Sequence, residues 1–179
     1  MAWLRFIGIG MISLVALACT PALNWRTVAL ESSSASALLP CKPERTRREV
    51  PLGGVPTDLA VVGCRSGAMT FAVMTARMSD DVETDAVLAG WQQATLANMR
   101  AEAATVERSD FRPAGGLPLV HAQRLLARGR GGDGRAVAAQ AVWSARAAPG
   151  GGAELLHAVV YAEQVQPEVA DAFFAGIRW

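Results

Sequence analysis

This chain contains few of the residues that most often carry catalysis or bind metals. Its 179 residues include only two histidines, one tyrosine and three cysteines, and aromatic residues make up 6%. The histidines, His121 and His157, are far apart in the sequence. Neither has a second histidine or a cysteine at the short spacing that metal sites use. We therefore expect no metal site and no cofactor.

An excess of charge of one sign is also missing. The chain has 17 basic and 16 acidic residues. Its first 18 residues contain one base, Arg5, and no acid, so the remainder carries 16 of each. A chain without net charge is not drawn to nucleic acid or to an anionic membrane by bulk electrostatics. We expect no nucleic-acid partner.

The N-terminus has the pattern of an export signal. Arg5 is followed by an uncharged run over residues 6–18 and then by Cys19. Such a run has the length of a signal-peptide apolar region and is short for a membrane span of about 20 residues. Residues 15–19 (VALAC) resemble a bacterial lipobox, which predicts a signal peptide over residues 1–18 and a lipid on Cys19. Two alternatives remain: ordinary cleavage after Ala16-Leu17-Ala18, and a retained anchor over residues 6–23.

The two other cysteines form an even pair once Cys19 is lipidated. Cys41 and Cys64 would then be exposed to an oxidising compartment, where disulfides form and persist. The sequence predicts a Cys41–Cys64 disulfide, and two separate buried thiols are the alternative. Residues 19–36 are predicted to be a tether and residues 37–179 a single domain.

Hydrophobic periodicity predicts an α+β domain. Acidic residues open a long central helix over residues 80–104, and Pro167 starts a C-terminal helix. Glycine-rich turns separate the last three strand-like runs, which predicts an antiparallel meander. The predicted strands cover residues 58–64, 69–76, 117–128, 135–147 and 153–163, and a solvated strand is expected over residues 44–50.

Residues 129–134 (GRGGDG) satisfy the glycine pattern of a dinucleotide-binding loop, with Glu154 at 20 positions past the last glycine. That function requires a helix after the loop, to hold the pyrophosphate at its N-terminus. The following residues alternate as in a strand. We interpret the glycines as a hairpin turn.

Two groups of residues are candidates for function. His157 and Tyr161 share one side of a predicted strand and would lie at the mouth of a pocket or form a polar spot on a covered sheet face. Arg128, Arg130 and Arg135, together with Arg124, surround one turn. They would contact lipid headgroups or an acidic partner, or form a solvated hairpin tip.

Several short stretches resemble a known family. Residues 37–43 (ALLPCKP), 64–73 (CRSGAMTFAV) and 172–178 (AFFAGIR) are similar to those of an uncharacterised family of exported proteobacterial lipoproteins. That family resembles the PsbP-like α/β/α sandwich group. The resemblance implies an antiparallel sheet flanked by a long central helix and a C-terminal helix. It also implies a binding or assembly role, and it supplies no catalytic motif.

The sequence thus predicts a non-enzymatic lipoprotein of the bacterial cell envelope. It would be held at the periplasmic face of a membrane by its lipid and would contact another envelope protein, or else be a soluble periplasmic form. The alternative is a small envelope hydrolase or transferase that uses His157 and Tyr161, or His121.

Overall fold

The computed structural model describes residues 23–179, which form nine strands, two α-helices and one 3₁₀ turn, Ala103–Thr105. The helices are α1 (Thr84–Asn98) and α2 (Pro167–Ala175). The strands are β1 (Arg26–Ala29), β2 (Ser36–Leu39), β3 (Glu44–Leu52), β4 (Val55–Ser66), β5 (Met69–Met78), β6 (Glu107–Asp110), β7 (Gln123–Arg130), β8 (Ala136–Ala147) and β9 (Ala153–Ala162).

Seven of these strands form one antiparallel sheet in the order β3-β4-β5-β9-β8-β7-β6, and β1 and β2 pair separately as a small hairpin. The predicted meander is confirmed: β7 pairs with β8, and β8 with β9, through the two glycine-rich turns. The GRGGDG stretch lies at the first of these turns and no helix follows it, so its interpretation as a hairpin turn is also confirmed.

Helix α1 covers one face of the sheet, which we call the α1 face. Its buried side chains Val87, Leu88 and Trp91 pack against Trp143 of β8 and Leu155 of β9. Burial of side chains this large supplies most of the energy that holds a helix on a sheet. The helix has only a weak amphipathic pattern of its own, so this packing determines where it lies.

The opposite face is covered by the β1–β2 hairpin and α2, and we call it the hairpin face. Leu39 of β2 and Phe173 of α2 are fully buried there, and Phe173 packs edge to face against Phe71 of β5 with ring centroids 5.4 Å apart. Alternation along β5 and β9 supplies apolar side chains to both faces. The two strands therefore lie at the centre of the sheet.

The predicted disulfide is confirmed. Cys41 follows β2, and Cys64 lies on β4. The bond therefore joins the small hairpin to the main sheet, and it is compatible with an exported protein. Neither described helix is long and apolar enough to cross a membrane. Cys19 and the predicted signal peptide lie outside the described residues.

The predicted fold class is wrong. The structure is mostly β, with 47% of the described residues in strands and 17% in helices, and not a sandwich built around a long central helix. The predicted helix over residues 80–104 is reduced to the 15 residues of α1. One layer of the supposed sandwich is instead the β1–β2 hairpin beside the nine-residue α2.

Helix α1 is shorter than predicted because the residues just before and just after it form turns. Residues 80–83 form a turn in which the Val82 N–H donates to the Ser79 carbonyl. After Asn98 the chain reverses through Arg100, which has a φ of +46°. The Met99 carbonyl then accepts from the N–H of Arg130 at 2.7 Å. The chain continues from there to β6, which completes the sheet edge.

Candidate functional site

The main sheet is split at one end, and a cleft lies in the split. Pairing between β4 and β5 stops at Ala60 and Thr75. Beyond it, β4 pairs only with β3, and β5 only with β9. The tip of the β3–β4 hairpin packs on α1 instead, where Gly53 approaches Val87 so closely that an added Cβ would lie 2.7 Å from its Cγ2 atom. This bend of the hairpin towards α1 separates the strands.

The cleft has a volume of about 650 Å³, within the range of small-ligand sites. Its walls combine polar and apolar side chains from β4, β5, β9, the β1–β2 turn and the start of the turn before α1. The lining residues are Ser32, Ser33, Ser34, Val55, Pro56, Thr57, Asp58, Arg77, Met78, Ser79, Val82 and Glu154.

Glu154 is the buried carboxylate of this cleft, with only 3% of its surface exposed. Its Oε2 atom accepts hydrogen bonds from the Ser33 hydroxyl (3.1 Å), the Ser34 hydroxyl (2.9 Å) and the Ser34 N–H (3.1 Å). Arg146, its cross-strand partner on β8, places Nε 3.3 Å from the same oxygen. Through Oε2, Glu154 therefore fixes the β1–β2 turn to the sheet.

The second carboxylate oxygen, Oε1, accepts no hydrogen bond from any described residue. Burial works to raise the pKa of Glu154, but the hydrogen bonds from Ser34 and Ser33 and the charge of Arg146 outweigh it and lower this pKa. The group is therefore ionised at neutral pH. Oε1 is open to the solvent in the cleft, so a ligand that donates a hydrogen bond can replace water there.

Two other charged side chains line the cleft. Arg77 is the cross-strand neighbour of Glu154 on β5, and its guanidinium donates to the Pro149 carbonyl. Asp58 on β4 is paired with Arg47 of β3. Because Glu154 and Asp58 are each paired with an arginine, Arg146 and Arg47, and Arg77 adds a further positive charge, the charges at the cleft do not favour a cationic ligand.

His157 lies in the core and not at the mouth of a pocket. It is 1% exposed, stacked on Trp143 with ring centroids 4.2 Å apart and edge to face with Trp91 at 5.2 Å. Its Nδ1 lies 3.1 Å from the Val142 carbonyl. Burial lowers the pKa of His157 to about 4, so the ring is neutral at pH 7. The interpretation as a polar spot on a covered sheet face matches this geometry.

Tyr161 shares the α1 face with His157, as its strand position predicts, and is partly buried. Burial raises the pKa of its hydroxyl. The two side chains are four positions apart along β9, and no described contact connects them. The structure therefore does not bring this pair together as a catalytic centre.

His121 has an acidic partner that the sequence did not reveal. Its ring Nδ1 lies 2.8 Å from Oδ2 of Asp85, and its backbone N–H donates to Oδ1 of the same carboxylate at 2.8 Å. Burial works to raise the pKa of Asp85, but these hydrogen bonds outweigh it and lower this pKa. The pair holds the first turn of α1 against the loop before β7. No nucleophilic side chain among residues 23–179 contacts the imidazole.

The three arginines of the predicted partner surface are not equivalent. Arg128 and Arg130 line a second groove of about 720 Å³ on the hairpin face, together with Glu102, Glu107 and Glu163. Arg135 lies outside this groove, with its Nε 3.8 Å from Asp133. The groove therefore carries charges of both signs and is not a basic surface.

Sequence reasoning did not predict Glu154 as a cleft residue, since in the sequence it stands out only as the acid of a dinucleotide fingerprint. The available signal was a single charged residue in a strand that is otherwise almost entirely apolar (AELLHAVVYA). Its partners Ser33 and Ser34 lie within residues 19–36, which the sequence predicts to be a tether.

No group of three or more histidine, cysteine, aspartate or glutamate side chains in the described part of the chain has the arrangement of a metal site. Comparisons with protein-family models, curated proteins and solved structures found no match for this chain. Function has therefore to be inferred from the geometry of the cleft.

Proposed function

We propose that this protein is a non-enzymatic binding module of the bacterial cell envelope, and that the cleft containing Glu154 is its binding site. The observation that carries this proposal is the Glu154 carboxylate, nearly fully buried, with one oxygen held by four contacts and the other without a donor at a cleft of about 650 Å³. That oxygen is open to the solvent in the cleft, where a partner can donate a hydrogen bond to it.

The location in the envelope is part of the same proposal. The disulfide and the export pattern of the N-terminus support a periplasmic domain, and a lipid on Cys19 would hold it at the membrane face. The resemblance to exported proteobacterial lipoproteins supports the same location. In this arrangement the cleft contacts another envelope protein for which the module acts as an accessory.

Site-directed photocrosslinking in the producing cells tests this proposal. A photoreactive residue replaces Pro56, which is exposed at the cleft, or Arg135, which is exposed at the β7–β8 tip and lies near the other end of the sheet. We expect a discrete protein adduct from position 56 that is lost when Glu154→Gln is added, and none from position 135.

The two positions separate the possible binding surfaces. Adducts from position 135 alone would show that the arginine tip contacts the partner and would reject the cleft as the binding site. Adducts from position 56 that persist unchanged in Glu154→Gln would show contact without a role for the carboxylate, and would also reject the proposal.

A further inference from the structure

We infer that the cleft binds an extended segment of a partner protein, which enters the split between β4 and β5 as a short strand and pairs with both through its main chain. This inference rests on the proposed function, because it names the kind of partner segment that the same cleft recognises. It is carried by the unpaired edges of the two strands, by the lining of the cleft from both faces of the sheet, and by an exposed apolar side chain at its wall.

The turn between β4 and β5 determines which of their backbone groups face each other. It has two residues, and Ser66 and Met69 flank it. Residues that flank such a turn exchange both of their backbone hydrogen bonds, and every second pair along an antiparallel ladder does the same. Counted from the turn, the last pair of this kind is Ala60 with Thr75.

The next pair in this alternation is Asp58 with Arg77, and the ladder does not reach it. Because the bonding direction alternates along a strand, the N–H and C=O groups of these two residues point across the split, away from β3 and β9. An unpaired strand edge is a template for another strand. Two such edges face each other here, so one extended segment can bond to both.

The cleft is lined from both faces of the sheet, so it passes between the strands. Met78 packs in the core of the α1 face, whereas Glu154 bonds to serines on the hairpin face, and both line the cleft. The Thr57 hydroxyl reaches across the split to the Met78 sulfur at 3.9 Å, a weak bond that an inserted strand displaces. A strand, whose side chains alternate between two directions, suits such a cleft.

The two walls indicate which side chains the segment carries. Val55 is 44% exposed and is one of two large hydrophobic side chains exposed among the described residues. It lines the cleft with Met78 and Val82, and an apolar side chain of the segment removes this wall from water. The opposite wall contains Glu154, whose Oε1 is open to the solvent and can accept from a hydroxyl. The segment therefore alternates apolar residues with hydroxyl residues.

Titration of the envelope-purified protein with two blocked pentapeptides tests this inference. Both have the sequence Thr-Val-Thr-Val-Thr, and one carries a methyl group on its central amide nitrogen, which removes a main-chain donor and leaves every side chain unchanged. We expect the unmethylated peptide to bind at least about fivefold more tightly and to slow hydrogen exchange at the Arg77 amide. Equal affinity of the two peptides, or no binding of either, would overturn the inference.

Proline substitutions locate the paired edge, because proline has no N–H. Arg77→Pro removes the N–H that faces the split and leaves the ladder with β9 complete. It should bind the unmethylated peptide at least about fivefold more weakly than Arg77→Ala, which also lacks the guanidinium but keeps the N–H. Glu49→Pro is the matched control: it removes an N–H from the outer edge of β3 and should leave peptide binding unchanged.

The proline variants have two outcomes that overturn the inference. One is equal peptide binding by folded Arg77→Pro and Arg77→Ala. The other is loss of binding in Glu49→Pro alone, which would place the peptide on the outer edge of β3. If Arg77→Pro does not fold, the comparison of the two peptides on the unaltered protein decides.

Failure of this inference differs from failure of the proposed function. Photoadducts from position 56 that depend on Glu154 but persist in Arg77→Pro would keep the cleft as the binding site and remove strand pairing. Absence of adducts would remove both. Protection of the Arg77 amide that rises with protein concentration, without any peptide, would assign the split to a second copy of the chain and overturn the inference.

Discussion

His157 shows how burial determines the chemistry of a single residue. Its ring is enclosed by two tryptophans, and burial lowers its pKa to about 4, whereas the ring would titrate near 6.5 in the unfolded chain. Between these values the unfolded chain binds a proton that the native protein does not. This difference makes the native state less stable as the pH falls through that window.

We therefore predict an acid-dependent loss of stability that His157 causes. The free energy of unfolding should fall by up to about 3 kcal/mol between pH 6.5 and pH 4, because each pKa unit corresponds to about 1.4 kcal/mol. In His157→Phe, which keeps an aromatic ring in the stack, this part of the pH dependence should disappear. Urea unfolding at a series of pH values measures it.

Tyr161→Phe is the matched control for this prediction. It changes a side chain on the same strand and face, whose pKa burial raises further above this window, and should keep the pH dependence of the unaltered protein between pH 4 and pH 6.5. If His157→Phe and the unaltered protein lose stability in parallel over that window, the neutral buried state of His157 is not the cause.

At the scale of elements, the GRGGDG stretch that begins in β7 contains one glycine, Gly129, that close packing requires. The segment after α1 runs along the edge of β7, and a Cβ on Gly129 would lie 2.1 Å from the Met99 carbonyl oxygen. A Cβ on Gly132, three positions along the same motif, would meet nothing within 4 Å. Gly129 is therefore required by the close approach of two backbone segments and not by a phosphate.

These two glycines provide a prediction with an internal control. Gly129→Ala should lower the free energy of unfolding by about 3 kcal/mol, the upper end of the usual cost of overpacking, because two backbone segments have to separate. Gly132→Ala should change it by less than about 1 kcal/mol, in the stabilising direction, since alanine restricts the unfolded chain. Thermal unfolding of both variants checks this; equal effects would contradict the packing explanation.

At the scale of the whole molecule, one disulfide among the described residues joins the small hairpin to the main sheet. The Cys41–Cys64 disulfide closes a loop with a sequence separation of 23 and joins the chain just after the β1–β2 hairpin to the main sheet. In the chain-entropy account, such a loop stabilises the native state by roughly 3 kcal/mol. Cys64 is also nearly buried among the apolar residues of the hairpin face.

We predict that Cys41→Ala/Cys64→Ala lowers the free energy of unfolding by roughly 3 kcal/mol. Urea unfolding of the variant measures the loss. The unaltered protein with its disulfide reduced is the control and should lose a similar amount. Equal midpoints for the oxidised protein and the double variant would show that the bond contributes no stability.

Attachment to the membrane is the second property of the whole molecule. Lipidation of Cys19 predicts that a metabolic fatty-acid probe labels the unaltered protein and not Cys19→Ser. Cys41→Ala/Cys64→Ala, which retains Cys19, is the control and should be labelled. Equal labelling of Cys19→Ser would reject the lipobox interpretation, and absence of label from all three proteins would favour ordinary cleavage after residue 18.

Local patterns in the sequence were sufficient for several features of this protein. Alternation of apolar residues predicted β4, β5, β8 and β9 and the shared face of His157 and Tyr161, because a strand side chain has only two directions to point. Glycine-rich turns predicted the meander, and the cysteine count predicted the disulfide. These features depend on neighbours in sequence or on a count, so the order of residues alone determines them.

The tertiary structure decided the layers, the length of α1 and the cleft. The pairing of β1 with β2 and of β6 with β7 comes from short segments without a strong pattern, so only contacts with the rest of the fold stabilise them. The cleft requires the β3–β4 tip to bend towards α1, and it joins residues about 120 positions apart, the serines of the β1–β2 turn and Glu154. No local pattern encodes such a meeting, because it depends on where the chain packs and not on what each segment prefers.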